Sequence, residues 1–562
     1  MIAKVVLGLY GYAQKPEITR TKQREHGDYA TNIALILAKV AKKKPRDIAN
    51  EIVAHLPDDA AIESCEIAGP GFINFHLSSH IKTAIVKEIC THPASLIEQV
   101  AQKSSILIEF VSSNPTGPLH VGHGRSAAIG STLANLYQSI GHDVQREYYV
   151  NDAGTQIDTL ALTVLLRYCG IAKLPEGLYQ GDYINPIASS IPDDKIKISQ
   201  EEILLWVKAQ EPAFQAYFLE QESSEEKDSF LARMIDWMRS TLPQLDWLKT
   251  HSYRAILNDI QADLETFRVP FDRFFCESDL VKNGDVNKAI DTLTQQNLTE
   301  KRDGALWFKA TLKGDDKDRV LIKANGDYTY FATDLAYHWH KSHRTEIMMD
   351  IFGADHHGYI KRLQSGVQAL NTQSQLIIRT YQFALLVRDG ESISMSTRKG
   401  VFETIKDVYQ YCGIDATRYF YMMRHCDQKI EFDLELARRK SQENPVYYIQ
   451  YAHARICRIF ETCQPQNNPD LSLLTEEHEL DICQHLATYN ESIYRCIEIN
   501  DPYPLCQYLY ELARLIHKYY NHTNVLKADE DIKNSRLNLL SACKIVLKDG
   551  LDILAIEAPG TM

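Results

Sequence analysis

One stretch, Glu109–Gly124 (EFVSSNPTGPLHVGHG), constrains this chain more than any other. Around Glu109, the residues Ile106, Leu107, Ile108, Phe110 and Val111 form a short apolar run of the kind found in a central parallel strand. Asn114, Pro115, Thr116, Gly117 and Pro118 then break the run with turn-forming residues. From His120 a helical pattern opens, with Ala127, Leu133 and Leu136 on its apolar face. A strand, a turn and a helix N-terminus make a place for an anion, because the first backbone N–H groups are free and the helix dipole points its positive end there. His120 and His123, three positions apart, can share one face of that first turn and add donors to a phosphate.

Length and composition narrow the setting. A chain of 562 residues, 44% hydrophobic and 24% charged, has room for three or four soluble domains of ~100–200 residues. The opening MIAKVVLGLYGYAQKPEITR is too interrupted for a signal peptide, and no run approaches the ~18 apolar residues of a membrane span. The twelve cysteines contain no C-x-x-C pair, so neither a zinc site nor a disulfide framework is signalled and a reducing cytoplasm is expected. A net charge of −13 argues against generic polyanion or DNA binding, and confines any RNA contact to local basic surfaces.

The chain around this centre divides into three. In the first hundred residues, Lys22, Arg24, Lys39, Lys42, Lys43, Lys44 and Arg46 bunch together. Ile33, Leu37 and Val40 mark one helix, Ile48 and Ile52 a second, with Pro45 between them. IESCEIAGPGFINFHLS alternates about Gly69-Pro70-Gly71 and predicts a hairpin, so this is a small α/β module. Its lysines form either a solvated face or an RNA contact.

In the middle, Val144–Val150 predicts a second strand with Asn151-Asp152-Ala153-Gly154 turning at its C-terminal end, the ligand face of an open parallel sheet. From about residue 169 to 318 the strand-turn-helix rhythm fades, and two amphipathic helices (Ile203–Phe218 and Phe230–Leu248) mark an insertion. Its Trp206, Trp237 and Trp247 are expected to be packing residues. Tyr330 and Asp334, four apart, share a helix face and could offer a ring and a carboxylate to a guanidinium; a surface aspartate beside core tyrosines reads equally from the residues alone. Met348–Phe352 predicts another buried strand, with Gly353-Ala354-Asp355-His356-His357-Gly358 as its exit turn. The adjacent histidines lack the second cluster that a metal site needs. The loop RDGESISMSTRKGVF, with Gly390 and Gly400, has the hydroxyls and cations to close over a triphosphate.

From Asp415 onward the pattern is almost wholly helical. One helix beginning at Pro445 carries Tyr447, Tyr451, His453, Arg455 and Arg458, which could stack unpaired bases and meet phosphate, or could be a bundle core with a basic rim.

These strings carry a resemblance. HVGH within SSNPTGPLHVGHG is similar to the HxGH signature of class I aminoacyl-tRNA synthetases, and the longer strings, REYYVNDAGTQI, DYTYFATDLAYH, DIFGADHHGY, DATRYFYMMR and NPVYYIQYAHARI, resemble arginyl-tRNA synthetases along essentially the whole chain. The resemblance implies a Rossmann-type catalytic domain over 101–400, an additional N-terminal domain over 1–100 that touches the tRNA elbow, and a helical anticodon-binding domain over 401–562. It implies ATP-dependent attachment of L-arginine to tRNA(Arg), with Mg²⁺ arriving on ATP and no protein metal site, by a cytoplasmic monomer that requires bound tRNA before activation begins.

Carried over position by position, it assigns His120 and His123 to the phosphates, with Pro115, Thr116, Gly117, Gly122, Gly353, Asp355, His356, Met395 and Ser396 around ATP. Glu109, Ser112, Asn114, His123, Tyr330 and Asp334 fall on arginine. Tyr447, Tyr451, Arg455 and Arg458 fall on tRNA. The loop departs from the KMSKS pattern of class I enzymes: Ser394 and Thr397 stand where lysines are expected, and the charge is displaced to Arg398 and Lys399. Two other readings compete. A small-metabolite adenylyltransferase would not need the helical end, and a synthetase-derived RNA-binding protein without catalysis would not need His120, His123, Asn114, Tyr330 and Asp334.

Overall fold

The computed structural model describes residues 1–21, 24–221, 224–370, 372–388, 390–392 and 404–562. At its centre lies a five-stranded sheet. The strands are β1 (Ser105–Glu109), β2 (Asp143–Val150), β3 (Arg273–Cys276), β4 (Ile347–Gly353) and β5 (Gln375–Tyr381). They run in the order β5-β4-β1-β2-β3, all parallel. The chain winds outward from β1 through β2 to β3, then returns to lay β4 on the other side of β1. This reversal opens a crevice between the C-terminal ends of β1 and β4, where ligands bind in doubly wound folds. Ile106 and Ile108 of β1 and Met348 and Met349 of β4 are buried, which accounts for their continuous apolar runs.

Helix α1 (Val121–Ser139) leaves the β1 crevice and is buried along nearly its whole length. Its glycines permit that depth. A Cβ on Gly124 would sit 2.7 Å from the Tyr421 ring, so only glycine lets the first turn approach this closely. Arg125 is also fully buried and spends its donors on main-chain carbonyls, including those of Gln428 at 2.8 Å and His425 at 2.9 Å. It thereby ties the start of α1 to the segment that leads into the helical end.

The remaining parts surround this core. Residues 33–41 and 45–54 form two helices, Pro45 being the first residue of the second, and they pack on an antiparallel sheet. Ile62–Ala68 pairs with Phe72–Leu77 as the expected hairpin. Of the three residues whose spacing marked the first helix, Ile33 and Leu37 are buried and Val40 is 65% exposed. Helix Ser79–Thr91 packs on the C-terminal helices Glu477–Leu486 and Glu530–Ile553, and Arg20 donates to the Ala487 carbonyl, so the first and last parts of the chain touch.

Three sequence expectations need correction. Strand β3 lies inside the 169–318 range read as an insertion, yet it completes the central sheet, so that range is not wholly external. Four residues running directly into the helix Glu277–Lys282 give too short a pattern to see in sequence. Two strands of that range, Thr299–Arg302 and Ala305–Phe308, join Arg319–Ile322 just beyond it in a three-stranded antiparallel sheet. In the end read as helical, Ile430–Asp433 is a strand that pairs in parallel with Ala384–Arg388. The tryptophans pack as expected: Trp206 and Trp237 stack at 5.0 Å against the core of the inserted helices.

Candidate active site

The crevice holds a cavity of about 750 Å³. Glu109, Ser112, Asn114, Thr116, Gly117, His123, Asp334, Gly353, Asp355 and His356 all line it, which brings together most of the expected site residues. Local backbone geometry explains how β1 delivers them. Val111 and Ser112 have φ of 67° and 41° immediately after the strand. A β-branched residue in the left-handed region is strained, and such strain persists only where surrounding bonds fix it. Those bonds are present: Val111 N–H donates to Ser126 Oγ at 3.0 Å, Tyr149 N–H donates to Ser112 Oγ at 3.1 Å, and Tyr148 Oη donates to the Ser113 carbonyl at 2.8 Å. The bend turns Ser112 and Asn114 into the cavity. Asn114 is held by donation from Nδ2 to Gln156 Oε1 at 2.7 Å, and Tyr183 Oη fixes the Thr116 carbonyl at 2.8 Å.

At the α1 end of the cavity, the histidines cap the helix reciprocally. His120 Nδ1 accepts from Gly122 N–H at 3.2 Å, and His123 Nδ1 accepts from His120 N–H at 3.1 Å. A ring whose Nδ1 accepts carries its neutral-state proton on Nε2, so the cap itself selects the tautomer. Burial, with the neighbouring His120, pushes His123 down to about 4, and at neutral pH it is an uncharged Nε2–H donor. Pro115 is buried beneath this turn, and Gly122 belongs to the cap itself. Met395, Ser396, Arg398 and Lys399 lie outside the described residues. The chain beyond them re-enters at Thr404, which pairs with His120, while Ile405 N–H donates to the Leu119 carbonyl at 3.0 Å.

The opposite end is built from carboxylates. Helix α2 (Tyr330–Ser342), N-capped by Thr329, runs beside the sheet. Asp334 accepts a hydrogen bond from Tyr359 Oη; burial raises its pKa, and burial likewise raises that of Glu109. Tyr149 and Tyr359, close to Asp334, are pushed far above the ordinary phenol range by burial and by these anions. Two carboxyls raised by burial in one cavity wall, Glu109 already bonded to Lys341, mark a place that gains from a cationic ligand.

Tyr330 stands elsewhere. It is 74% exposed and lines an adjoining groove with Arg319, Lys323 and Arg362, so helix spacing put it on the side of Asp334 without putting it in the same cavity. Asp152, read as a polar residue on the ligand face, instead binds the start of the helix Glu277–Lys282, accepting from Ser278 N–H at 2.8 Å and Oγ at 2.7 Å.

Sequence reading missed Tyr337, His338, Lys341, Asp350 and Tyr359. The signal for the first three was available, since His338 and Lys341 continue the Asp334 stripe at helical spacing. Asp350, a lone carboxylate inside the apolar run of β4, was a second.

On the helical end, Pro445–Thr462 (α3) begins with Pro445 at its first position. Tyr447 and Tyr451 stack at 6.0 Å, the Arg455 guanidinium lies over both Tyr451 and Tyr520, at 4.4 and 4.5 Å, and Arg458 is exposed. His453 is buried instead, bonded to the Pro559 carbonyl at 2.8 Å, and belongs to the packing of the C-terminal tail.

Comparison with known proteins agrees with this geometry. Residues 1–77 match the arginyl tRNA synthetase N terminal domain, 85–411 the class I (R) tRNA synthetase catalytic domain, and 449–562 the DALR anticodon binding domain. The chain is 41% identical to an arginine–tRNA ligase of Legionella pneumophila across 97% of its own length and 94% of the relative's. The chain belongs to the arginyl-tRNA synthetase family. Among solved structures, a putative arginyl-tRNA synthetase from Campylobacter jejuni superposes with a TM-score of 0.71 at 30% identity, over 86% of this chain and 100% of that one. The Thermus thermophilus arginyl-tRNA synthetase shares the fold with a TM-score of 0.76 at 22% identity, over 100% and 98% of the two chains. The cavity lies within the matched class I catalytic domain, with donors at one end and carboxyls at the other.

Proposed function

We propose that this arginine–tRNA ligase binds ATP along the α1 end of the cavity and L-arginine along the Asp334 end, then charges tRNA(Arg). The observation that carries the reading is the opposed chemistry around one cavity: a backbone-capped histidine pair with His123 neutral, and carboxyls raised by burial at Glu109 and Asp334. In the first step an arginine carboxylate oxygen attacks the α-phosphorus of ATP, and the bond to pyrophosphate breaks. The second begins when the 2′-hydroxyl of the terminal adenosine attacks the adenylate carbonyl and releases AMP. Neither step asks the protein for a nucleophile; positioning and fixed dipoles suffice.

In this reading His120 and His123 donate to the phosphates, with Thr116, Gly117, Gly353, Asp355 and His356 around the nucleotide. Asn114 takes the α-ammonium, Asp334 the guanidinium, and Glu109 the charge between them; Tyr330 closes from the adjoining groove. Arg398 or Lys399 meets the leaving pyrophosphate, a reading supported by the pairing of Thr404 with His120. Mg²⁺ enters with the ATP phosphates. The lysines of the first hundred residues and the Tyr447–Arg458 face of α3 contact the tRNA, and the protein acts as a cytoplasmic monomer, a setting that suits its twelve free thiols.

Labelled arginine and total tRNA test this reading. Acid-precipitable arginine should accumulate with ATP and with no other standard amino acid, and arginine-dependent exchange of pyrophosphate into ATP should require tRNA. Full-rate exchange without tRNA would remove the ordered step; no charging at all would remove the activity.

A further inference from the structure

Lys341 has no part in the scheme above, yet it is a fully enclosed charge beside the cavity, with no solvent exposure. An ammonium has three protons, and each is matched. Nζ donates to Glu109 Oε2 at 2.9 Å and to Asp350 Oδ1 at 2.6 Å, and it lies 4.4 Å from the centre of the Tyr337 ring. Glu109 and Asp350 are register partners on β1 and β4, at the very point where the sheet splits to form the crevice. Lys341 therefore clamps both strands to α2. Asp350 is bound on its other side as well, its Oδ2 lying 2.7 Å from His338 Nε2, while His338 Nδ1 lies 2.8 Å from the Asp334 carbonyl. Glu109 has one more hold, donation from Ser112 Oγ to Oε1 at 3.0 Å, and Ser112 is itself the strained residue of the bend.

An ion pair this deep is a poor way to stabilise a fold, because desolvation offsets most of the Coulomb gain and an apolar trio of similar volume does as well. What the trio supplies is geometry and charge at the cavity wall. Without the ammonium, two carboxylates on adjacent strands would face each other in a dry site, and the nearer one would be neutral or turned away.

The geometry points to Lys341 as the positioning residue of the amino-acid pocket: it keeps the Glu109 carboxylate charged and aimed into the cavity, and fixes the α2 segment carrying Asp334 at its distance from Glu109. This rests on the reading that arginine occupies the Asp334 end.

The full-length enzyme tests it, with Michaelis constants for arginine and ATP measured in aminoacylation and thermal melting as a check of folding. Lys341→Met should raise the arginine KM at least roughly tenfold, as expected for one lost charge-assisted bond, and leave the ATP KM unchanged. The Lys341→Met/Asp350→Asn double variant removes one charge of each sign, so the trio keeps its net charge, and it should show the same selective rise. In a Glu109→Gln background, Lys341→Met should add much less, because its effect on arginine runs through Glu109. An equal rise in both KM values, the same factor in both backgrounds, or loss of cooperative melting in both Lys341 variants would make Lys341 a residue of the fold and overturn the proposal. The unaltered protein separates the two readings: failure to charge tRNA with arginine defeats the assigned activity, whereas normal charging with an insensitive Lys341 defeats only this inference.

Discussion

The two ends of the cavity solve opposite problems with opposite means. On the proposed assignment the α1 end holds an anion with no buried cation among the described residues lining it: a helix terminus, a two-histidine cap and close-packed glycines present N–H dipoles. The α2 end, on the same assignment, holds a cation with full charges, Asp334 and Glu109, which are bonded to Tyr359 and Lys341. Dipoles fixed by secondary structure cost nothing to reorganise and suit charge that shifts during reaction. Full charges suit a ligand whose charge is constant and must be told apart from neutral analogues. If the assignment holds, the difference teaches that the phosphate end serves the chemical step and the carboxylate end serves selection.

Three measurements break or sharpen that division. The largest effect belongs to the dipole end. His123→Ala removes one preorganised donor together with its half of the cap, and should lower kcat for arginine-dependent exchange by about 10²–10³, with the arginine KM near its normal value. A change confined to arginine KM would put His123 on the wrong side of the comparison.

Second is Asp334→Asn, which keeps shape and loses charge. The arginine KM should rise roughly 30-fold, about 2 kcal/mol for a charge-assisted pair, while kcat and the ATP KM hold. An unchanged arginine KM would take Asp334 out of the pocket.

The smallest effect is one of pH. Burial raises the carboxyl of Asp334, and a guanidinium selects its ionised form, so arginine binding releases a proton. The arginine KM should therefore climb as pH falls through that raised value, by at most about tenfold per unit. His123 stays neutral down to about 4, so the ATP KM should remain flat across the same interval. Parallel titration of both KM values would mean that one electrostatic unit, rather than two, governs the cavity.

Much of this was legible in the chain. The strand-turn-helix of Glu109–Gly124 and the exit turn at Gly353–His356 are local patterns, and local patterns survive folding. Strand β3 escaped notice because four residues carry no period, and its place in the sheet depends on partners more than a hundred positions away. The Tyr330–Asp334 pair was read from helical spacing, which fixes a face of a helix; which cavity each side chain enters depends on the neighbouring loops.

The sequence by itself determined the donors at the helix start, the carboxylate on α2 and the three-part order of the chain, because each is set by residues a few positions apart. Tertiary structure alone decided how Glu109, Lys341 and Asp350 meet, since three charges from β1, α2 and β4 converge only when the sheet reverses at β1. Buried charge is costly unless its partners arrive from elsewhere in the fold, so no stretch of sequence could declare that cluster on its own.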